Sequence, residues 1–61
     1  MPYVNVKLAG NITEEQKEEI AAQITRTLYE VAGKPLSVTY VVIEEVDKGN
    51  WAVGGKLLSK N

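Results

Sequence analysis

The segment Ser37 to Val46 is apolar on both parities: Val38, Tyr40 and Val42 alternate with Thr39, Val41 and Ile43. Read as a strand, it needs cover on both faces. The chain has 61 residues and only one other segment patterned to cover a sheet. One face must therefore meet something outside the chain, or it stays exposed as a patch of the kind that marks an interface.

The covering segment is a helix. Thr13 reads as its N-cap, and Gln16 stands three residues on, in capping-box spacing. Glu14 and Glu15 fall in the first turn, where the positive end of the helix dipole favours carboxylates. Ile20, Ile24, Leu28 and Val31 follow at helical spacing, with Ala21 and Ala32 beside them. Glu14, Lys17, Glu18, Gln23 and Arg26 supply the wet face. Gly33 suits the left-handed position after the last turn, and Pro35 blocks any continuation.

Ahead of the helix, Pro2 to Leu8 alternates, with Val4, Val6 and Leu8 on one face and Tyr3, Asn5 and Lys7 on the other. That period of two predicts a half-buried strand. Ala9-Gly10-Asn11-Ile12 is a loop of turn-prone residues. Beyond the second strand, Asp47-Lys48-Gly49-Asn50 is a turn and Trp51-Ala52-Val53 a short apolar segment. Gly54-Gly55 permits an unusual backbone path, and Lys56 to Ser59 is one more short strand or a tail. Two strands joined by a helix of about 19 residues pair in parallel through a right-handed crossover. The expected fold is α/β (α+β): one domain over residues 1–61, a βαβ unit with parallel strands plus a C-terminal hairpin or arm.

Size decides what must stabilise such a unit. A chain this short buries only roughly 60% of its unfolded surface, so it relies on disulfides, metal or partner subunits. The sequence holds no cysteine and no histidine, which excludes disulfides and a Cys/His zinc site. Other copies of the chain remain, so a homo-oligomer is expected. A net charge of −1 lacks the basic footprint of a nucleic-acid binder. No apolar run approaches the ~20 residues of a membrane span. The N-terminal stretch has neither the basic start nor the apolar core of a leader, so a cytoplasmic protein is expected.

Pro2 follows Met1 directly. Removal of Met1 would turn the Pro2 nitrogen into a secondary amine at the end of a short strand, where it can act as a general base. In a Met1–Pro2 peptide bond the same nitrogen is an amide and has no useful basicity.

With Pro2 opening a βαβ unit, the chain resembles the small subunits of the 4-oxalocrotonate tautomerase family, over its whole length. The resemblance also rests on Glu15-Gln16-Lys17 at the helix start, Lys34-Pro35-Leu36 before the second strand, and Ile43-Glu44-Glu45-Val46. It rests most on the run Lys48-Gly49-Asn50-Trp51-Ala52-Val53-Gly54-Gly55-Lys56. It implies a tautomerase/MIF-like fold, a hexamer built as a trimer of dimers, and a mature chain beginning at Pro2. It implies an isomerase that carries out keto-enol tautomerisation, by 1,3- or 1,5-proton transfer, of small 2-hydroxydienoate or 2-keto acids. Pro2 would be the general base, and no cofactor or metal is implied. Trp51 matches the aromatic that lines the family's active site.

The chain departs from the family at two positions. The well-studied members bind a dicarboxylate with two arginines. The first position is Ile12 here, or Asn11 if the loop register shifts by one; the second is Tyr40. The sole arginine, Arg26, reads as helix surface. Tyr40 and Asn11 can still donate single hydrogen bonds, and Lys7, Lys34 and Lys48 are alternative cations that read first as solvated side chains. The expected substrate is thus a monocarboxylate of the phenylpyruvate-enol type, in an apolar pocket lined by Trp51 and Tyr40. The contrasting expectation is an oligomer that retains Met1 and serves as a scaffold or binding module with little catalysis. Glu44 and Glu45 are adjacent in a strand, point to opposite faces, and cannot converge on one substrate.

Overall fold

A computed structural model describes residues 1–60. Strand β1 (Tyr3–Ala9) leads into helix α1 (Glu14–Ala32), which returns the chain to strand β2 (Tyr40–Val46). The strands pair in parallel, with Tyr3 opposite Tyr40 and Ala9 opposite Val46. A short hairpin, β3 (Ala52–Val53) and β4 (Lys56–Leu57), closes the chain as a C-terminal arm. Single 3₁₀ turns occupy Leu36–Val38, Lys48–Asn50 and Leu58–Lys60. The expected βαβ unit with its hairpin arm is the fold observed.

The helix boundaries follow from the capping residues. The Thr13 hydroxyl accepts the Gln16 N–H at 3.1 Å, and the Gln16 side chain accepts the Thr13 N–H at 2.9 Å. This reciprocal box is worth about 1 kcal/mol. At the other end Gly33 takes a left-handed φ of 66°, and its N–H reaches the Tyr29 carbonyl at 2.9 Å. Lys34 N–H bonds the Leu28 carbonyl at 3.2 Å, which completes the C-terminal cap.

Two expectations need correction. The second strand starts at Tyr40 rather than Ser37, because Leu36–Val38 coils into a 3₁₀ turn. The Thr39 hydroxyl donates to the Pro35 carbonyl at 2.9 Å and holds that turn. Val38 therefore does not share a strand face with Tyr40 and Val42. Val31 also leaves the apolar stripe, at 83% exposed. The reason is length: nineteen helical residues rise about 28 Å, whereas seven-residue strands span about 23 Å. The last turn of α1 thus overhangs the sheet.

One face of the sheet lies under the helix. Val4, Val6 and Leu8 of β1 and Val41 and Ile43 of β2 are half-buried there, with Ile20, Ile24 and Leu28 of α1. The other face is open and carries Tyr3, Asn5 and Lys7 beside Tyr40, Val42 and Glu44. Among the described residues no side chain is fully buried. The radius of gyration is 14.5 Å, against about 10–11 Å for a closed domain of this length. The long dimension, 42 Å, exceeds both helix and strands, so the arm projects past the sheet. A chain with no closed core and a projecting hairpin lacks the burial that would stabilise it alone.

Candidate active site

β1 and β2 start at one end of the sheet and finish at the other, and the sequence candidates divide between these ends. Pro2 lies at the starting end. Its carbonyl accepts the Tyr40 N–H at 2.9 Å, which extends the ladder by one bond and fixes the residue at the strand's mouth. Pro2 is half-buried, in phase with the helix-facing Val4 and Val6. Tyr40 is opposite in phase: its side chain stands on the open face beside Tyr3, and the two are 53% and 63% exposed. Met1, Tyr29, Val31 and Leu36 are further exposed apolar side chains at this end.

Asn11, Ile12 and Trp51 belong to the finishing end, roughly 20 Å away at about 3.3 Å per strand residue. Here Gly10 takes a φ of 93°, a value that favours glycine, and its N–H bonds the Val46 carbonyl at 2.9 Å. That turn separates the two neighbours that follow. Ile12 is half-buried and lines a groove along α1 with Gln16 and Ile20. Its N–H donates to Glu45 Oε2 at 3.0 Å. Asn11 is exposed and faces a cleft of about 600 Å³ lined by Ala9, Gly10, Asn11, Glu45, Asp47 and Lys48. Trp51 is half-buried where the arm folds on itself, and its carbonyl accepts the Leu58 N–H at 2.9 Å.

The two glutamates of β2 take opposite faces, as alternation requires. On the open face Glu44 Oε1 accepts from Lys7 at 2.6 Å and from Asn5 at 2.8 Å. The Lys7 hydrogen bond, then Asn5, hold its carboxyl below the usual range. On the helix side Glu45 pairs with Lys17 at 2.5 Å. The Lys17 hydrogen bond, followed by the Ile12 N–H, lowers its pKa likewise. These carboxylates are spent on structure: one ties β1 to β2, the other ties α1 and the loop after β1 to β2. Among the described residues there is no cluster of three or more acidic residues that could hold a metal ion. No helix is long and apolar enough to cross a membrane.

No single chain therefore gathers all five candidates. Pro2 is with the backbone of Tyr40; Asn11 is with Lys48; Ile12 turns to the helix. Two residues gain a neighbour that the sequence did not show. Tyr3 was placed on a strand face, but its pairing partner Tyr40 became known only from the register. Lys48, one of three alternative cations that read first as solvated, lines the cleft beside Asn11. The family run Lys48-Gly49 was the signal available for it.

The comparisons with known proteins follow this geometry. The model of the family described as tautomerase enzyme matches residues 2–61. A probable tautomerase of Bacillus cereus is 48% identical over 59 residues, covering 97% of each chain. The 2-hydroxymuconate tautomerase of Bacillus subtilis is 41% identical over 59 residues, covering 97% of this chain and 95% of its own. The crystal structure of YwhB, a homologue of 4-oxalocrotonate tautomerase, superposes with a TM-score of 0.93 at 38% identity, covering 98% of each chain. With the parallel βαβ unit, the C-terminal hairpin and a match that begins at Pro2, the chain belongs to the tautomerase family and is a 4-oxalocrotonate tautomerase-like isomerase.

Proposed function

We propose that the enzyme tautomerises small 2-keto acids and their enols, with the Pro2 nitrogen, freed of Met1, as general base and then acid. The observation that carries this reading is the seat of Pro2: half-buried at the mouth of β1, its carbonyl clamped by Tyr40 N–H. A clamped carbonyl and a rigid ring leave the nitrogen little freedom of aim. A free α-amino group has a pKa of about 7.7–8.0, and enclosure in apolar surroundings lowers it toward neutrality. A base poised near the working pH works best.

The proton transfer is conservative. The neutral amine takes the enol O–H proton, the O–H electron pair forms the C=O bond, and the C=C pair accepts the proton back at carbon. A 1,3-shift returns it to C3, and a 1,5-shift in a dienol to C5. A donor must hold the negative charge that grows on oxygen. Tyr40 offers one O–H in place of the guanidinium that the family resemblance leads one to expect. A single neutral donor suits a monocarboxylate such as an arylpyruvate enol better than a dicarboxylate, because it cannot copy the bidentate fork.

Assembly belongs to the same proposal. The open face holding Tyr3, Tyr40 and Val42 and the projecting arm are the surfaces that other copies would cover, in the trimer of dimers that the resemblance implies. Since Tyr40 and Pro2 of one chain lie out of phase, the Tyr40 hydroxyl that reaches a given Pro2 comes from a neighbouring copy. The test is to follow decay of the ultraviolet band of phenylenolpyruvate with the Met-free protein and with a form whose Met1 is retained. Turnover in the first and none in the second is expected. Equal rates in both would remove Pro2 from the mechanism.

A further inference from the structure

The cleft at the finishing end of the sheet contains a cation that no carboxylate neutralises. Both of its acidic side chains are engaged. Glu45 is held by Lys17 through one oxygen and by Ile12 N–H through the other. Asp47 Oδ1 accepts the Gly49 N–H at 3.3 Å and caps the following turn. Among the described residues the ion pairs use Lys7 and Lys17, and Lys48 is in neither. Its stem is nonetheless seated. Lys48 Cε lies 3.7 Å from the point where a Cβ on Gly10 would stand, so the bare backbone of Gly10 provides its resting place. Asn11 stands beside it in the cleft wall.

We propose that Lys48, with the Asn11 amide, is the carboxylate anchor of this enzyme and serves the Pro2 of another copy. The proposal rests on Pro2 being the base. A keto or enol acid carries its carboxylate next to the reacting carbons, so a charge must be met close to the base. At Ile12 and Tyr40, where the family pattern has arginines, this chain has neutral side chains. The ammonium of Lys48 supplies a charge-assisted hydrogen bond, about twice as strong as a neutral one. It acts as a point charge without the guanidinium fork, and Asn11 adds a second donor. Such a pair grips one carboxylate, which matches an arylpyruvate better than a diacid. Lys48 is separated from its own Pro2 by the sheet length, roughly 20 Å at about 3.3 Å per residue. That is farther than a lysine side chain reaches, so the anchor acts across a subunit boundary.

The experiment compares Lys48→Gln, Lys48→Arg and Lys34→Gln with the Met-free parent, on phenylenolpyruvate and on its methyl ester. Lys48→Gln is expected to raise KM for the acid roughly tenfold, the loss of one charged hydrogen bond. Its kcat should stay within about twofold, the signature of uniform binding, and KM for the ester should not move. Lys48→Arg should restore the acid KM. Co-expression of Lys48→Gln with Pro2→Ala chains should return a low-KM component, from sites pairing Pro2 of one copy with Lys48 of the other. Equal KM shifts on acid and ester, no shift on either, or an acid-specific shift in Lys34→Gln instead would overturn the anchor. Mixed assemblies without a low-KM component would overturn its action in trans. Calorimetric titration with 3-phenylpropionate reads the anchor without chemistry: roughly tenfold weaker binding in Lys48→Gln is expected, and equal binding would overturn it. A parent that binds this acid through Lys48 but turns over neither substrate would sink the Pro2 base while leaving the anchor standing.

Discussion

Where the strands begin, exposed apolar side chains gather, Tyr3, Val31, Leu36 and Tyr40 among them; where they finish, Asn11, Asp47 and Lys48 stand around a polar cleft. The starting end holds a candidate base, with Glu30 and Lys34 at the end of α1 as its nearby charges. The finishing end holds charges, with Glu45 paired to Lys17 and Lys48 in no ion pair among the described residues, and no candidate base. Each end offers half of what a proton transfer on a keto acid needs. The contrast teaches what the proposed site asks of so small a chain that closes no core of its own. The parallel βαβ unit puts the two groups of candidate residues at opposite ends of the sheet, so the proposed site requires a second copy to bring opposite ends together.

The harshest way to break this pairing is to charge the open face. Val42→Asp places a carboxylate on the face that assembly would cover, beside Glu44, and a buried unpaired charge costs several kcal/mol. Loss of the oligomer by light scattering and loss of all turnover are expected. A Val42→Asp protein that stays assembled would mean that the open face is not the interface. Next comes Pro2→Ala in the Met-free form. General-base catalysis is worth roughly a hundredfold or more, so kcat should fall by about that factor, with a remnant from the primary amine. KM should change little, because the anchor end is untouched.

Tyr40→Arg sharpens the comparison instead of breaking it. It adds a guanidinium at the start of β2, and 2-hydroxymuconate should gain on phenylenolpyruvate by roughly tenfold in kcat/KM. An unchanged ratio would show that position 40 does not meet substrate. Thr13→Ala strikes only the frame that carries the finishing end. It should cost about 1 kcal/mol of stability, read as a lower urea midpoint, and leave kcat alone.

The smallest expected effect is the acid response of the paired glutamates. Glu44 and Glu45 both have folded-state pKa values held below normal, by Lys7 and by Lys17 first. Their stabilisation is therefore fully present above the unfolded carboxylate value, roughly pH 4.3, and fades as pH falls through the lower folded values. Urea midpoints should be flat from neutral pH down to about 5 and drop below about 4. Glu45→Gln should make the drop shallower. High salt should shrink it too, since both pairs are solvent-accessible.

Much of the candidate site was legible residue by residue. Pro2 announced itself by following Met1, and its chemistry needs no structure to state. Asn11 and Ile12 were an unresolved pair, because a loop has no period that says which of two neighbours faces outward. The positive φ of Gly10 settled their directions, Asn11 to the cleft and Ile12 to the helix. Lys48 read first as a surface lysine, since nothing local says that its stem rests against Gly10.

What the sequence determined by itself is what local chemistry encodes. The Thr13–Gln16 box and Gly33 set the helix limits, and the period of two set the faces of β1 and β2. The second strand, apolar on both faces over Tyr40–Ile43, showed that one helix could not cover both. The tertiary structure alone decided the register, Tyr3 opposite Tyr40, and with it which residues share an end. It also decided where β2 begins and which carboxylates are already spent. The reason is that alternation repeats every two residues and cannot tell one in-phase register from the next. A parallel pair has no tight turn to fix its offset. Only the long-range packing of the crossover helix against both strands selects it.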